Sequence, residues 1–143
     1  MAHRIQLAGT VQELKRCFPV VHELRPTYDC ERYLAQVQRQ TKQAGYAVAF
    51  LEDGEEVRSV AGFRVGELLA WHKAMYVDDL VTREVDRSKR YGEALFDWLV
   101  ERARSLDCDE FHLDSGVHRF GAHRFYLRKR MDITSHHFAM KLK

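Results

Sequence analysis

The residue pattern predicts a single α/β domain, a mixed sheet with helices laid against it. Three observations carry that expectation. Runs of two-residue alternation and runs of helical spacing succeed one another along the chain, in the order βαα-βββ-αβ-αβ. A length of 143 residues fits one domain and not two, so residues 1–143 are read as one unit. A hydrophobic fraction of 45% supplies enough apolar surface for a real core and excludes wholesale disorder.

Each element has its own signature. His3 to Ala8 alternates polar and apolar residues, as a half-buried strand does. Thr10-Val11-Gln12-Glu13 is a capping box that opens a helix carrying Leu14, Cys17 and Phe18 inward, disturbed near Pro19. A second helix is expected from about Asp29 to Ala44, with Tyr33, Leu34, Val37 and Thr41 on one face and Gly45 just beyond its end. The strand-like runs 46–51 and 57–65 flank Asp53-Gly54, a hairpin signal. Residues 71–82 read as another strand, 83–90 as a charged loop, and 91–106 as an amphipathic helix with Leu95, Trp98, Leu99 and Ala103 at core spacing. A short strand at 109–114, a helix at 122–130 and a closing strand from Ile133 to Leu142 complete the series.

Composition excludes several classes. Lys and Arg number 23 against 21 acids, and a net charge of +2 argues against a dedicated nucleic-acid binder. No run approaches the roughly 18 apolar residues of a membrane span, and Met-Ala-His-Arg-Ile lacks a long apolar stretch, so no signal peptide is expected. Cys17, Cys30 and Cys108 form neither a disulfide framework nor a CxxC pair, so a cytoplasmic protein with reduced thiols is expected. His118 with His123, and His136 with His137, lack zinc spacing, and no metal is expected.

The chemistry concentrates in residues 79–95, a strand, a basic turn and the first turn of a helix. A helix start directs unpaired N–H groups and the positive end of its dipole outward, which suits a diphosphate-bearing ligand; an ordinary solvated loop is the competing reading. The window resembles the GCN5-related N-acetyltransferase family, whose coenzyme motif is Gln/Arg-x-x-Gly-x-Gly/Ala. Arg87, Gly92 and the strand Leu80-Val81-Thr82 fall in register with it, while Arg90 stands where its first glycine belongs. Downstream, Leu113-Asp114-Ser115-Gly116 and Ala122-His123-Arg124-Phe125-Tyr126-Leu127-Arg128 are similar to the family's next strand and Tyr-bearing helix, with Arg130 in the place of another usual glycine. The AHRFYLR run, with Arg119 before it and His136-His137-Phe138 after it, is similar to bacterial aminoalkylphosphonate acetyltransferases.

That resemblance implies a mostly antiparallel, twisted mixed sheet whose central strands, bearing Val81 and Leu113, splay apart to admit pantetheine. It implies acetyl-coenzyme A as co-substrate, with Leu80, Val81 and Thr82 supplying main-chain contacts. It also implies Arg87, Arg90, Tyr91, Gly92, Glu93, Ala94 and Arg119 as further coenzyme contacts. A small-molecule primary amine is the expected acceptor and a homodimer a possible assembly; a protein lysine or N-terminal acceptor and a non-catalytic acyl-coenzyme A module are the alternatives. Tyr126 is the candidate acid for the leaving thiolate, and Asp78 or Asp79 the candidate base. Adjacent strand residues face opposite sides, so only one of the two is expected to reach the substrate, with Asp79 favoured. Trp71 and Tyr76 are candidates to line a substrate cleft.

Overall fold

A computed structural model describes residues 3–143. The chain divides into two compact units, Met1–His112 and Leu113–Lys143. The first carries β1 (Arg4–Leu7), α1 (Val11–Leu24), α2 (Cys30–Ala44), β2 (Ala47–Asp53), β3 (Glu56–Leu68), β4 (His72–Thr82) and α3 (Tyr91–Ser105), and it ends within β5 (Glu110–Leu113). The sheet order is β1-β2-β3-β4-β5, with antiparallel pairing from β1 through β4. After the α3 crossover, the Asp109 N–H donates to the Lys73 carbonyl at 2.6 Å, setting the start of β5 beside the start of β4.

The helices form where capping chemistry directs. The Thr10 hydroxyl accepts from the Glu13 N–H and the Glu13 carboxylate accepts from the Thr10 N–H, so the capping box is complete. Asp29 caps α2 by accepting from the Arg32 N–H, and Gly45 ends it at φ 69°, the left-handed conformation that glycine adopts without steric cost. Pro19 does not interrupt α1. It lies on the solvent face, where water can satisfy the Lys15 carbonyl that its missing N–H leaves unbonded, while Cys17, Val20 and Val21 pack inward.

One core layer joins Leu14, Cys17 and Val20 of α1 and Tyr33 and Val37 of α2 to Val48 and Phe50 of β2. The alternate β2 residues Ala49 and Leu51 are also fully buried, so this strand is covered on both faces and reads as a continuous apolar run. Leu95, Phe96, Leu99 and Ala103 form the buried stripe of α3. The β2–β3 turn places both Gly54 and Glu55 at positive φ, the geometry that matches strand twist in a two-residue hairpin.

The second unit holds α4 (Phe120–Arg128), which starts two residues before the expected position. The closing strand expected from Ile133 to Leu142 is not formed: residues 131–143 have no regular secondary structure. A strand needs a partner for its backbone, and among the described residues none pairs with this segment.

Candidate active site

The site begins with an irregularity in the sheet. β3 and β4 run in register from Ser59 opposite Thr82 to Gly62 opposite Asp79, and then the pairing jumps to Phe63 opposite Val77. Asp78 is therefore the extra residue of a β-bulge. Bulges re-aim side chains, and here Asp78 and Asp79 line the same cavity. The expectation that only one of these neighbours reaches the substrate side rests on regular alternation, which the bulge suspends.

The two carboxylates differ in their surroundings. Asp79 Oδ1 accepts from Arg25 Nε at 2.9 Å and Nη2 at 2.7 Å, and Oδ2 accepts from the Tyr46 hydroxyl at 2.7 Å. The Asp78 carboxylate accepts from Arg64 Nε at Oδ1, at 3.0 Å. Burial pushes the Asp78 carboxyl above its ordinary value, and the Arg64 bond and charge oppose that rise only in part. Among the described residues, both Asp79 oxygens accept hydrogen bonds, whereas on Asp78 only Oδ1 does.

Gly62 makes the Asp79 arrangement possible. A Cβ at this position would lie 1.7 Å from the Tyr46 hydroxyl oxygen, so only glycine lets the phenol cross β3 to reach Asp79. Burial and the Asp79 charge drive the Tyr46 hydroxyl far above its ordinary value, which keeps it a neutral donor. The cavity measures about 520 Å³ and is walled by Arg25, Tyr33, Tyr46, Arg64 and Tyr76 together with the aspartates. The Tyr33 hydroxyl is buried without a hydrogen-bond partner among the described residues, and Arg64 lies over the Tyr76 ring at 5.2 Å. Tyr76 borders this cavity, whereas Trp71 stacks on His112 at 3.6 Å.

At its far end β4 leads into the candidate coenzyme loop. Asp86 is 1% exposed and accepts from Arg58 at 3.0 Å, Arg83 at 2.5 Å and Lys89 at 3.3 Å, which fastens the turn Glu84–Asp86 to the sheet. Burial acts to raise its carboxyl, and the Arg83 and Lys89 bonds overcome this to hold it below the ordinary range. Ser88 and Arg90 follow at φ 69° and 66°. Arg90 caps α3 through its backbone alone, without a side-chain hydrogen bond. The Ala94 N–H donates to the Arg90 carbonyl, and the N–H groups of Tyr91 and Gly92 precede that bond at the start of the helix, facing outward.

Two contacts hold this helix start in place. The Tyr91 hydroxyl donates to Asp53 at 2.7 Å, and a Cβ on Gly92 would stand 3.0 Å from Thr82 Oγ1. Thr82 itself is 3.0 Å from the Ser59 hydroxyl, which donates to the Val81 carbonyl. Arg87 and Arg90 are exposed beside the open N–H groups. A shallow cavity of about 250 Å³ borders Lys89, Arg90, Tyr91, Glu93 and Ala94. Open backbone donors, a helix dipole and basic side chains fit the phosphates of a coenzyme.

Tyr126 and Arg119 belong to the second unit. Burial raises the Tyr126 hydroxyl above its ordinary value and the Arg119 charge opposes that. Arg130 takes φ 68°, so both arginines that replace glycines of the motif keep a left-handed backbone. His123 Nε2 is 2.8 Å from the Gly116 carbonyl, and among the described residues no three His, Cys, Asp or Glu side chains gather as metal ligands. The Cys108 thiol is raised by burial, which lowers its reactivity.

The model of the acetyltransferase (GNAT) family matches residues 7–131. The chain belongs to this family. As a GNAT protein it is 31% identical over 129 residues to an uncharacterized N-acetyltransferase, YhdJ, of Bacillus subtilis, covering 90% of each chain. Its fold is that of a transcriptional regulator from Bacillus halodurans C-125, with TM-score 0.85, 18% identity, and 99% and 100% of the two chains covered. It is equally the fold of AAC(6')-Iy, solved with a coenzyme A bisubstrate analogue, with TM-score 0.85, 9% identity, and 100% and 99% covered. The protein is thus an acyltransferase, and the family uses acetyl-coenzyme A. Arg25, Tyr46, Gly62 and Arg64 are the site residues that sequence reasoning missed. Of these only Gly62 left a local signal, as a glycine inside an apolar strand.

Proposed function

We propose that this GNAT enzyme transfers an acetyl group from acetyl-coenzyme A to the primary amine of a small molecule by direct attack on the thioester. The single observation that carries the reading is the β4 bulge, which turns two carboxylates into one tyrosine-lined cavity on the strand that feeds the coenzyme loop. The match of the family model across residues 112 and 113 supports one acetyltransferase domain made of both units.

Bound acetyl-coenzyme A supplies the activated acetyl group. The N–H groups of Tyr91 and Gly92 would hold its phosphates, Arg87 and Arg90 would add charge, and the Leu80–Thr82 main chain would supply contacts to its thioester arm. An alkylammonium with a pKa near 10 is neutral in only about one molecule per thousand at pH 7. Asp78, hydrogen-bonded by described residues at Oδ1 alone and raised in proton affinity, takes that proton directly or through water. Asp79 positions Arg25 and Tyr46 around the amine. Tyr126, proposed from the motif, returns a proton to the departing thiolate. The AHRFYLR resemblance puts aminoalkylphosphonates first among acceptors to try, and polyamines second. A pair of chains is the assembly that this reading expects, and three free thiols support a cytoplasmic setting.

Calorimetric titration with acetyl-coenzyme A, followed by an amine screen, tests this proposal. Saturable binding and turnover of a primary amine are the expected results. Absence of binding by folded protein would overturn it.

A further inference from the structure

The cavity beside the bulge is balanced in charge. Its ionised wall residues are Asp78, answered by Arg64, and Asp79, answered by Arg25. An acceptor that enters with an ammonium alone upsets that balance by one charge, and a diamine upsets it by two. An acceptor that carries one anionic group beside its ammonium leaves the balance at zero, the condition under which a partly buried site costs least.

Of the two pairs, the one at Asp78 is incomplete. Arg25 meets Asp79 Oδ1 through both Nε and Nη2, and the Tyr46 hydroxyl fills Oδ2. Arg64 meets Asp78 through Nε alone. Among the described residues, nothing accepts from Arg64 Nη1 or Nη2, and nothing donates to Asp78 Oδ2. The Arg64 and Asp78 side chains are 43% and 23% exposed, so a solute reaches both. A planar guanidinium fork suits a carboxylate, which it binds through two parallel hydrogen bonds.

Proton transfer gives a second reason for an anion. When Asp78 takes the amine proton it loses its charge, and Arg64 is left without a partner. The Arg64 charge therefore opposes the transfer, as its lowering effect on the Asp78 carboxyl shows. A carboxylate on the acceptor removes that opposition, because it stays on Arg64 as Asp78 is neutralised. A phosphonate suits the balance less well, since like a phosphate ester it carries more than one negative charge at neutral pH.

We propose that the acceptor is an α-amino acid, its ammonium on Asp78 and its carboxylate on Arg64 Nη1 and Nη2, and that Arg64 selects for it. Asp78 and Arg64 already touch, so the two groups that they bind must stand close together, as they do on a single α-carbon. The cavity of about 520 Å³ leaves room for a side chain. The inference rests on the acetyl-transfer reading for its chemistry and on the Asp78–Arg64 pair for its binding. Attack by the amine on the acetyl carbon breaks the carbon–sulfur bond and yields an N-acetylamino acid and coenzyme A. Of the three protons on the ammonium, one goes to Asp78, one to the sulfur, and one stays on the amide.

Calorimetry on the intact protein in the presence of coenzyme A, followed by turnover with acetyl-coenzyme A, tests the proposal. The probes are the standard α-amino acids, their α-amides, 2-aminoethylphosphonate and putrescine. At least one amino acid is expected to bind about 100-fold tighter than its own amide, which keeps the shape and lacks the charge. That amino acid should also exceed 2-aminoethylphosphonate and putrescine. Arg64→Met should bring acid and amide within about threefold of each other, and Arg64→Lys should fall between, since lysine keeps the charge without the fork. Melting curves verify that each variant is folded, and where the Met variant is not, the Lys variant decides. An amide, putrescine or 2-aminoethylphosphonate that binds as tightly as every amino acid overturns the proposal. So does an acid preference that folded Arg64 variants leave unchanged. Acid-selective binding without turnover would overturn acetyl transfer and support the amino acid site, whereas turnover of amines without acid preference would overturn the site alone.

Discussion

Arg90 holds a left-handed backbone at φ 66° that a glycine adopts without steric cost. Its side chain makes no capping hydrogen bond, and its guanidinium lies 3.9 Å from the Glu93 carboxylate. Arg90→Gly should therefore stabilise the fold by about 1 kcal/mol, measured by urea unfolding, and leave coenzyme affinity within a fewfold. A large loss of affinity would show that the arginine charge, not the backbone, holds the phosphates. Asp78 and Asp79 separate by pH. Because burial raises the Asp78 carboxyl, the base form fills later than for an ordinary aspartate, and turnover should climb with pH through that raised value. Asp78→Asn should remove this limb and lower kcat by about 10² to 10⁴. Asp79→Asn should keep the limb and raise the KM for the amine, since it loosens Arg25 and Tyr46; an Asp79→Asn profile without the limb would make Asp79 the base. Tyr126→Phe should reduce kcat far more than acetyl-coenzyme A binding.

Among the elements, β3 and β4 decide the site because their register fails at one point. Gly62 leaves the room in which Tyr46 crosses to Asp79. Gly62→Ala should displace the phenol and cost about 1–3 kcal/mol of stability, together with a rise in KM for the amine. An unchanged melting temperature would mean that Tyr46 does not need the crossing. At the start of α3 the constraint is milder. The Gly92 Cβ would meet Thr82 Oγ1 at 3.0 Å, so Gly92→Glu should weaken acetyl-coenzyme A through both bulk and charge, read by calorimetry.

Stability of the whole molecule depends on two buried carboxylates. Glu52, at 8% exposure, accepts from Arg16 at 2.7 Å and from Arg4, and Asp86 gathers Arg58, Arg83 and Lys89. The bonds from Arg16 and Arg4 hold Glu52 below its ordinary value of 4.5, and the Arg83 and Lys89 bonds do so for Asp86 against burial. A lowered folded-state value stabilises the fold above the unfolded-state value and is lost as pH falls through the folded one. Acid unfolding should therefore set in below about pH 4.5. Asp86→Asn should cost about 3–5 kcal/mol at pH 7, with a difference from the unmodified protein that shrinks in acid. Chemical denaturation across pH 3 to 7 measures both.

Local chemistry was readable residue by residue. The capping box at Thr10, the Asp29 cap, Gly45 and the Gly54 turn involve partners within a few positions, so the sequence determined them alone. The helix-start cradle was legible for the same reason, because a strand, a basic turn and a helix are consecutive. What only tertiary structure decided lies across distance: a bulge set by the pairing of β3 with β4, a phenol 33 residues from its aspartate, and arginines that neutralise carboxylates 14 and 54 positions away. The strand pattern at 133–142 was equally legible, and its failure to form has the same cause. Alternation states which face an extended chain would bury, but a strand exists only where another edge meets it.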